Sequence, residues 1–179
     1  MRVRFIQSAV VVTTLSLAGA ASAHFDLKAP LPSTTSTNGG KGAAPCGPDA
    51  SSAVITPVMG GSQIAVTVNE TVYHPGHYRI ALSINSRDEI DPSKPGGLQE
   101  PVVKNMQGMP IMTGNSVSAD IQNPPVFPVL ADGIFAHTAE SPTDFTQMIT
   151  LPNVNCDKCT LQVIEFMADH SPPYFYRHC

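Results

Sequence analysis

Tryptophan is missing from the 179 residues, and charge is sparse, with 10 Lys+Arg against 14 Asp+Glu. Nucleic acids and anionic membranes are bound through clustered Lys and Arg, so the deficit of cations argues against both as partners. Beyond residue 23 no apolar run approaches the ~20 residues that a transmembrane helix needs. A Gly-x-Ser-x-Gly elbow is absent and all four cysteines can pair, which sets aside serine and cysteine hydrolases. A glycine-rich phosphate loop is also absent, so a nucleotide site has no support. Finally, no stretch carries a capped apolar stripe of 3.6-residue period, so helices are not expected to build the core.

What is present begins with an export signal. Arg2 and Arg4 precede an interrupted apolar stretch, and Ala21-Ser22-Ala23 supplies a small-residue cleavage site. Cleavage there removes residues 1–23 and leaves 179 − 23 = 156 residues, 24–179, enough for one domain with one core. Two arginines leave with the signal, so eight cations face 14 anions and the net charge is about −6. The expected product is secreted or periplasmic, monomeric, and free of the membrane once cleaved.

Proline and glycine together contribute 17 + 13 = 30 residues, and alternating apolar runs lie between them. "SQIAVTVNE" puts Ile64, Val66 and Val68 on one face, and "HYRIALSIN" does the same with Tyr78, Ile80, Leu82 and Ile84 against Arg79 and Ser83. "DFTQMITLP" and "CTLQVIEFMAD" read as further strands, the second apolar on both faces and therefore central. The expected fold is all-β, an antiparallel sandwich of immunoglobulin or fibronectin type. Residues 33–53 and 87–128 lack strand character; the second stretch holds three of the seven methionines, and both are expected to be functional surface.

Four cysteines in an exported chain favour two disulfides, with three possible connectivities. Cys156-Asp157-Lys158-Cys159 has the spacing of a local staple, a redox pair or half a zinc site. With no thioredoxin-like βαβ pattern and no second CxxC, the staple is favoured, leaving Cys46 and Cys179 to close the long loop.

The six histidines are His24, His74, His77, His137, His170 and His178. One stands directly behind the cleavage site, where chance puts a histidine 6/179 of the time, roughly once in thirty. An N-terminal histidine offers an α-amine of near-neutral pKa together with an imidazole. Amine nitrogen and Nδ1 can close a six-membered chelate ring on one ion. A further imidazole would give three nitrogens in a flat arrangement with open positions, a set that suits Cu(II); zinc prefers four tetrahedral ligands. "VYHPGHYRIALS" supplies His74 at the mouth of a strand, with His77 as the alternative. "HSPPYFYRHC" supplies Tyr176, a phenol that could fill an axial position, three residues before Cys179.

This combination resembles the lytic polysaccharide monooxygenases, secreted copper enzymes with a β-sandwich and a histidine brace. His24 after "ASA" is similar to the family's first mature residue, and His74-Pro75-Gly76 to the His-x-Gly of the second imidazole. Tyr176-Arg177-His178-Cys179 resembles the axial Tyr-x-x-Cys, whose cysteine bonds back to an early one, here Cys46. His170 is similar in place to a histidine that hydrogen-bonds the oxygen species. The resemblance implies copper as cofactor, held by His24, His74 and Tyr176. It also implies oxidative cleavage of glycosidic bonds in a polysaccharide with O2 or H2O2, an external electron donor, and a catalytic contribution from His170 and Tyr176. Tyr174 stands where the family has Gln, and without tryptophan no flat aromatic platform is evident. The same brace also serves copper delivery in non-enzymatic proteins, where an Asp can replace the axial aromatic; Asp169 is the candidate here. An adhesive or carbohydrate-binding module without metal would explain the strands but not the position of His24.

Overall fold

The structure, a computed structural model, describes residues 25–32, 44–47, 54–141 and 143–179. Nine strands follow in chain order: β1 (Phe25–Ala29), β2 (Gln63–Glu70), β3 (Gly76–Ser83), β4 (Val103–Lys104), β5 (Ser118–Ala119), β6 (Val129–His137), β7 (Phe145–Thr150), β8 (Thr160–Met167) and β9 (Phe175–His178). The one helical element among the described residues is a 3-10 turn, Arg87–Ile90, capped by the Ser86 side chain. Among the described residues no helix is long and apolar enough to cross a membrane.

Two antiparallel sheets stack face to face, one ordered β1-β2-β7 and the other β6-β3-β8-β9. Their contact is a single apolar layer. Phe25, Leu27, Val66, Val68 and Ile149 come from the first sheet, and Tyr78, Ile80, Ala131, Val163, Met167 and Tyr176 from the second. Alternation along β2 produces this directly: Val66 and Val68 are fully buried while Gln63 and Ala65 face water. The first sheet therefore has one wet face, as antiparallel sheets often do.

The second sheet is buried on both faces, and this corrects part of the sequence reading. Arg79 and Ser83, expected on a solvent face, are 4% and 0% exposed. The segment 87–128, expected as functional surface, lies over that outer face through the short β4–β5 ladder. Val103 and Ala119 pack there on Ile164, Phe166, Tyr174 and Phe175. A cation can sit beneath such a cover only with a partner. Arg79 donates through Nε and Nη2 to Asp132 Oδ2 at 2.9 and 2.5 Å, and the backbone N–H of Gln122 donates to the same oxygen at 2.9 Å. One carboxylate thus neutralises the arginine and fastens the covering segment.

β8 lies between β3 and β9, the central position expected from its two apolar faces. Both expected disulfides are formed, Cys46–Cys179 with Cα atoms 5.2 Å apart and Cys156–Cys159 with 5.7 Å. The first joins β9 to the buried cluster of Ala81, Ile90 and Leu98.

Candidate metal centre

Register places the candidate residues at one end of the sandwich. β2 ends at Glu70 and β3 starts at Gly76, so His74 lies in the turn between the sheets. Gly76 pairs with Met167 at the end of β8, which puts the following turn, with Asp169 and His170, beside the His74 turn. One backbone bond fixes this approach, Ala168 N–H donating to Pro75 O at 2.6 Å, while Asp169 N–H donates to Ser116 O at 2.8 Å and ties the same turn to the covering segment. Gly76 is required for it, because a Cβ there would overlap the Phe166 carbonyl oxygen.

The two turns bring His74 and His170 into edge-to-face contact, ring centroids 4.9 Å apart and planes at 88°. Nδ1 of His170 lies on the Ser171 carbonyl oxygen. A carbonyl can only accept, so Nδ1 is the donor of this contact and Nε2 is the ring nitrogen left to face other groups. Buried Ser116 steadies the turn, its N–H donating to His170 O at 3.0 Å and its hydroxyl to Met167 O at 2.7 Å.

The chain enters the first sheet at the same end. Phe25 opposes Glu70, the last residue of β2. Its ring is fully buried against Tyr78 and His178, at centroid distances of 5.2 and 4.8 Å, and its carbonyl accepts from His178 Nε2 at 2.9 Å. His24 itself lies outside the described residues, but Phe25, one peptide bond downstream of it, is held firmly beside the His74 turn. Among the described residues, no group of three or more His, Cys, Asp or Glu side chains is placed to hold a metal ion. The His74–His170 pair is thus two nitrogen-bearing rings that need a further donor.

The alternatives separate by face. His77 points to the outer face of the second sheet, packs on Phe166 with centroids 5.2 Å apart, and is 8% exposed. Burial lowers its pKa and keeps it neutral. Tyr176 points inward, opposite Glu165 and fully buried, so His77 and Tyr176 lie on opposite sides of one sheet. Burial, and then the carboxyl of Glu165, push the Tyr176 phenol up to about 12, so it keeps its proton at neutral pH. Asp169 is exposed on the turn itself, with a left-handed φ of 56°.

Beneath this end runs a polar network that the sequence reading missed. Tyr78 hydroxyl donates to Glu70 Oε1 at 3.2 Å, and His137 Nε2 stands 2.8 Å from the same oxygen. Nδ1 of His137 donates to Phe135 O at 2.7 Å, which fixes the ring with Nε2 turned toward Glu70. Glu165 is 1% exposed and pairs in register with both Tyr78 and Tyr176. Burial raises the pKa of Glu70 and lifts that of Glu165 well above the usual carboxylate range, and the nearby Glu70 carboxylate raises Glu165 further by like-charge repulsion. The signal available in the sequence was Glu165 itself, an acid inside the apolar run "LQVIEFM".

An open groove of about 1000 Å³ lies at the opposite end of the sandwich, lined by Leu31, Ile55, Met59, Leu151 and Val154, with Cys156 and Cys159 on its wall. The histidine pair takes no part in it. No family model matches the chain, and no curated protein and no solved structure matches it either.

Proposed function

We propose that the chain is an exported mononuclear copper protein of the polysaccharide monooxygenase type. Residues 1–23 are removed, and the ion is then held by the amine and Nδ1 of His24 and by the imidazole of His74. The observation that supports this most strongly is the His74–His170 pair at the end of the sandwich where Phe25 enters the sheet. An immunoglobulin- or fibronectin-like subtype of the sandwich is supported by the order β1-β2-β7 facing β6-β3-β8-β9.

The donor set fits copper. Nitrogen ligands with open positions suit Cu(II), and the two disulfides belong to the oxidising compartments in which such a protein would work. Bound copper would supply a one-electron centre that uses O2 or H2O2 and an external electron donor to oxidise a glycosidic C–H bond. The remaining work falls to side chains. His170, oriented by Ser116 and Ser171, offers Nε2 beside His74 as a hydrogen-bonding group. Tyr176 offers a protonated phenol, a weak neutral oxygen donor that could help hold the ion, from a fixed position in the core. The buried carboxyls of Glu70 and Glu165 hold that floor in place.

A second reading, copper carriage without turnover, is favoured by the surface. Among the described residues the exposed large hydrophobics include one aromatic, Phe127, and it lies near the far end of β3. Sugar-binding platforms depend on exposed aromatic faces. Peroxide-driven oxidation of soluble oligosaccharides separates the two readings. Oxidised products that vanish in His74→Ala support the enzyme. Tight copper binding without any product supports the carrier, and copper binding indifferent to His74→Ala removes both.

A further inference from the structure

Methionine is ordinarily a residue that folding buries. Met106, Met109 and Met112 fall within seven residues and are 82%, 61% and 88% exposed. The same segment can bury an apolar side chain when packing calls for one. Ile111, between two of the methionines, packs onto the cluster of Val103, Ala119 and Phe166. The three thioethers are therefore presented to solvent by a segment that is itself anchored.

The anchoring is local. Gly108 N–H donates to Asn105 O at 2.8 Å, Asn105 N–H to Met109 O at 3.0 Å, and Ile111 N–H to Val103 O at 2.9 Å. The Asn105 side-chain oxygen accepts from Gln107 N–H at 3.0 Å and Met109 N–H at 2.9 Å, and Gly108 takes the left-handed φ of 74° that closes the turn. Met106 and Met109 thus flank one tight turn, and Met112 follows the anchor residue Ile111. Two residues further on, Gly114 O accepts from Tyr174 hydroxyl at 3.0 Å, and Ser116 binds the turn that carries His170. Ser116 is four residues beyond Met112, and four residues span at most ~14 Å, so Met112 lies within that reach of the His170 turn.

We propose that Met106, Met109 and Met112 form a thioether site for Cu(I) on the segment that Ser116 ties to the His170 turn. Thioethers are neutral, soft donors that select Cu(I) over the hard cations of the surroundings, and two of them on a pinned hairpin tip with the third just beyond its anchor lose little freedom on closing around an ion. Nitrogen donors of the histidine pair would favour the divalent ion, so the two sets sort the oxidation states between them. The choice of copper as the ion rests on the proposed function; the thioether set does not.

The test uses the exported full-length protein labelled with methyl-13C methionine, titrated anaerobically with Cu(I) against a Cu(I)-selective chelator. The expected result is that one equivalent shifts the methyl signals of Met106, Met109 and Met112 together, while exposed Met59 and Met148 stay in place. Replacing all three (M106L, M109L, M112L) weakens Cu(I) binding by roughly tenfold or more and leaves Cu(II) affinity unchanged. The proposal is overturned if the three signals do not move, move at different equivalents, or if the leucine variant binds Cu(I) as tightly; the last result would mark the patch as a contact for an apolar protein surface. Failure of the histidine site is read separately, as Cu(II) affinity unaffected by His74→Ala.

Discussion

Glu165 shares the inner face of β8 with Val163 and Met167, and burial leaves it a raised pKa beside Glu70. Two neighbouring carboxyls away from water repel each other when both are ionised, so the pair favours a protonated form. In the unfolded chain both lose their protons near the ordinary value of 4.5, whereas the folded chain retains them. The folded state therefore binds more protons above that pH, and stability falls as pH rises through the raised values. Glu165→Gln keeps the shape and removes the ionisable acid. Thermal unfolding followed from pH 5 to pH 8 should show a declining midpoint for the native chain and a flatter, higher one for the variant. An unchanged slope would mean that Glu165 ionises freely. At this scale the sequence was half legible: His74 and Tyr176 stood out by their neighbours, but Glu70 and Glu165 lie 95 residues apart and meet only through sheet stacking.

At the scale of strands, β2 and β8 could be read directly, because alternation or continuous apolar character maps onto burial. β6 could not. Its pairing with β3 shifts register three times, Gly133 takes a φ of 66° and Phe135 one of 52°, and such bulges break the period of two on which reading depends. The burial of Arg79 was hidden for a different reason, since its cover comes from a segment without strand character. Breaking a buried ion pair from one side leaves an uncompensated charge, so Asp132→Ala should cost about 3–5 kcal/mol by denaturant unfolding. The same variant should free residues 120–122, seen as faster amide exchange at Gln122. Gly76→Ala should cost about 1–3 kcal/mol, because β3 must move away from the Phe166 carbonyl. Under the proposed function it should also weaken copper binding, as the His74 turn moves with the strand.

Across the whole molecule the two disulfides differ in reach. Cys46–Cys179 spans 133 positions and Cys156–Cys159 only 3, so loop-closure entropy assigns about 5 kcal/mol to the first and about 2 kcal/mol to the second. Paired serine replacements should lower the unfolding free energy in that order, with Cys46→Ser/Cys179→Ser also loosening β9 and its Tyr176. The sandwich and both bridges were legible from composition, spacing and count. The order of the candidate residues along the chain was legible, yet the contact of His74 with His170 depends on two turns brought together by the β3–β8 register. In the proposed brace, what would give these rings a metal is the nitrogen of residue 24. The most direct measurement is therefore the intact mass of the exported protein, followed by EPR of its Cu(II) form with and without one extra residue ahead of His24. The expected result is a chain that starts at His24 and shows nitrogen hyperfine coupling from amine and imidazoles. The extended chain should bind roughly tenfold or more weakly. A different first residue, or an extended chain with equal affinity and the same spectrum, would contradict the histidine-brace proposal.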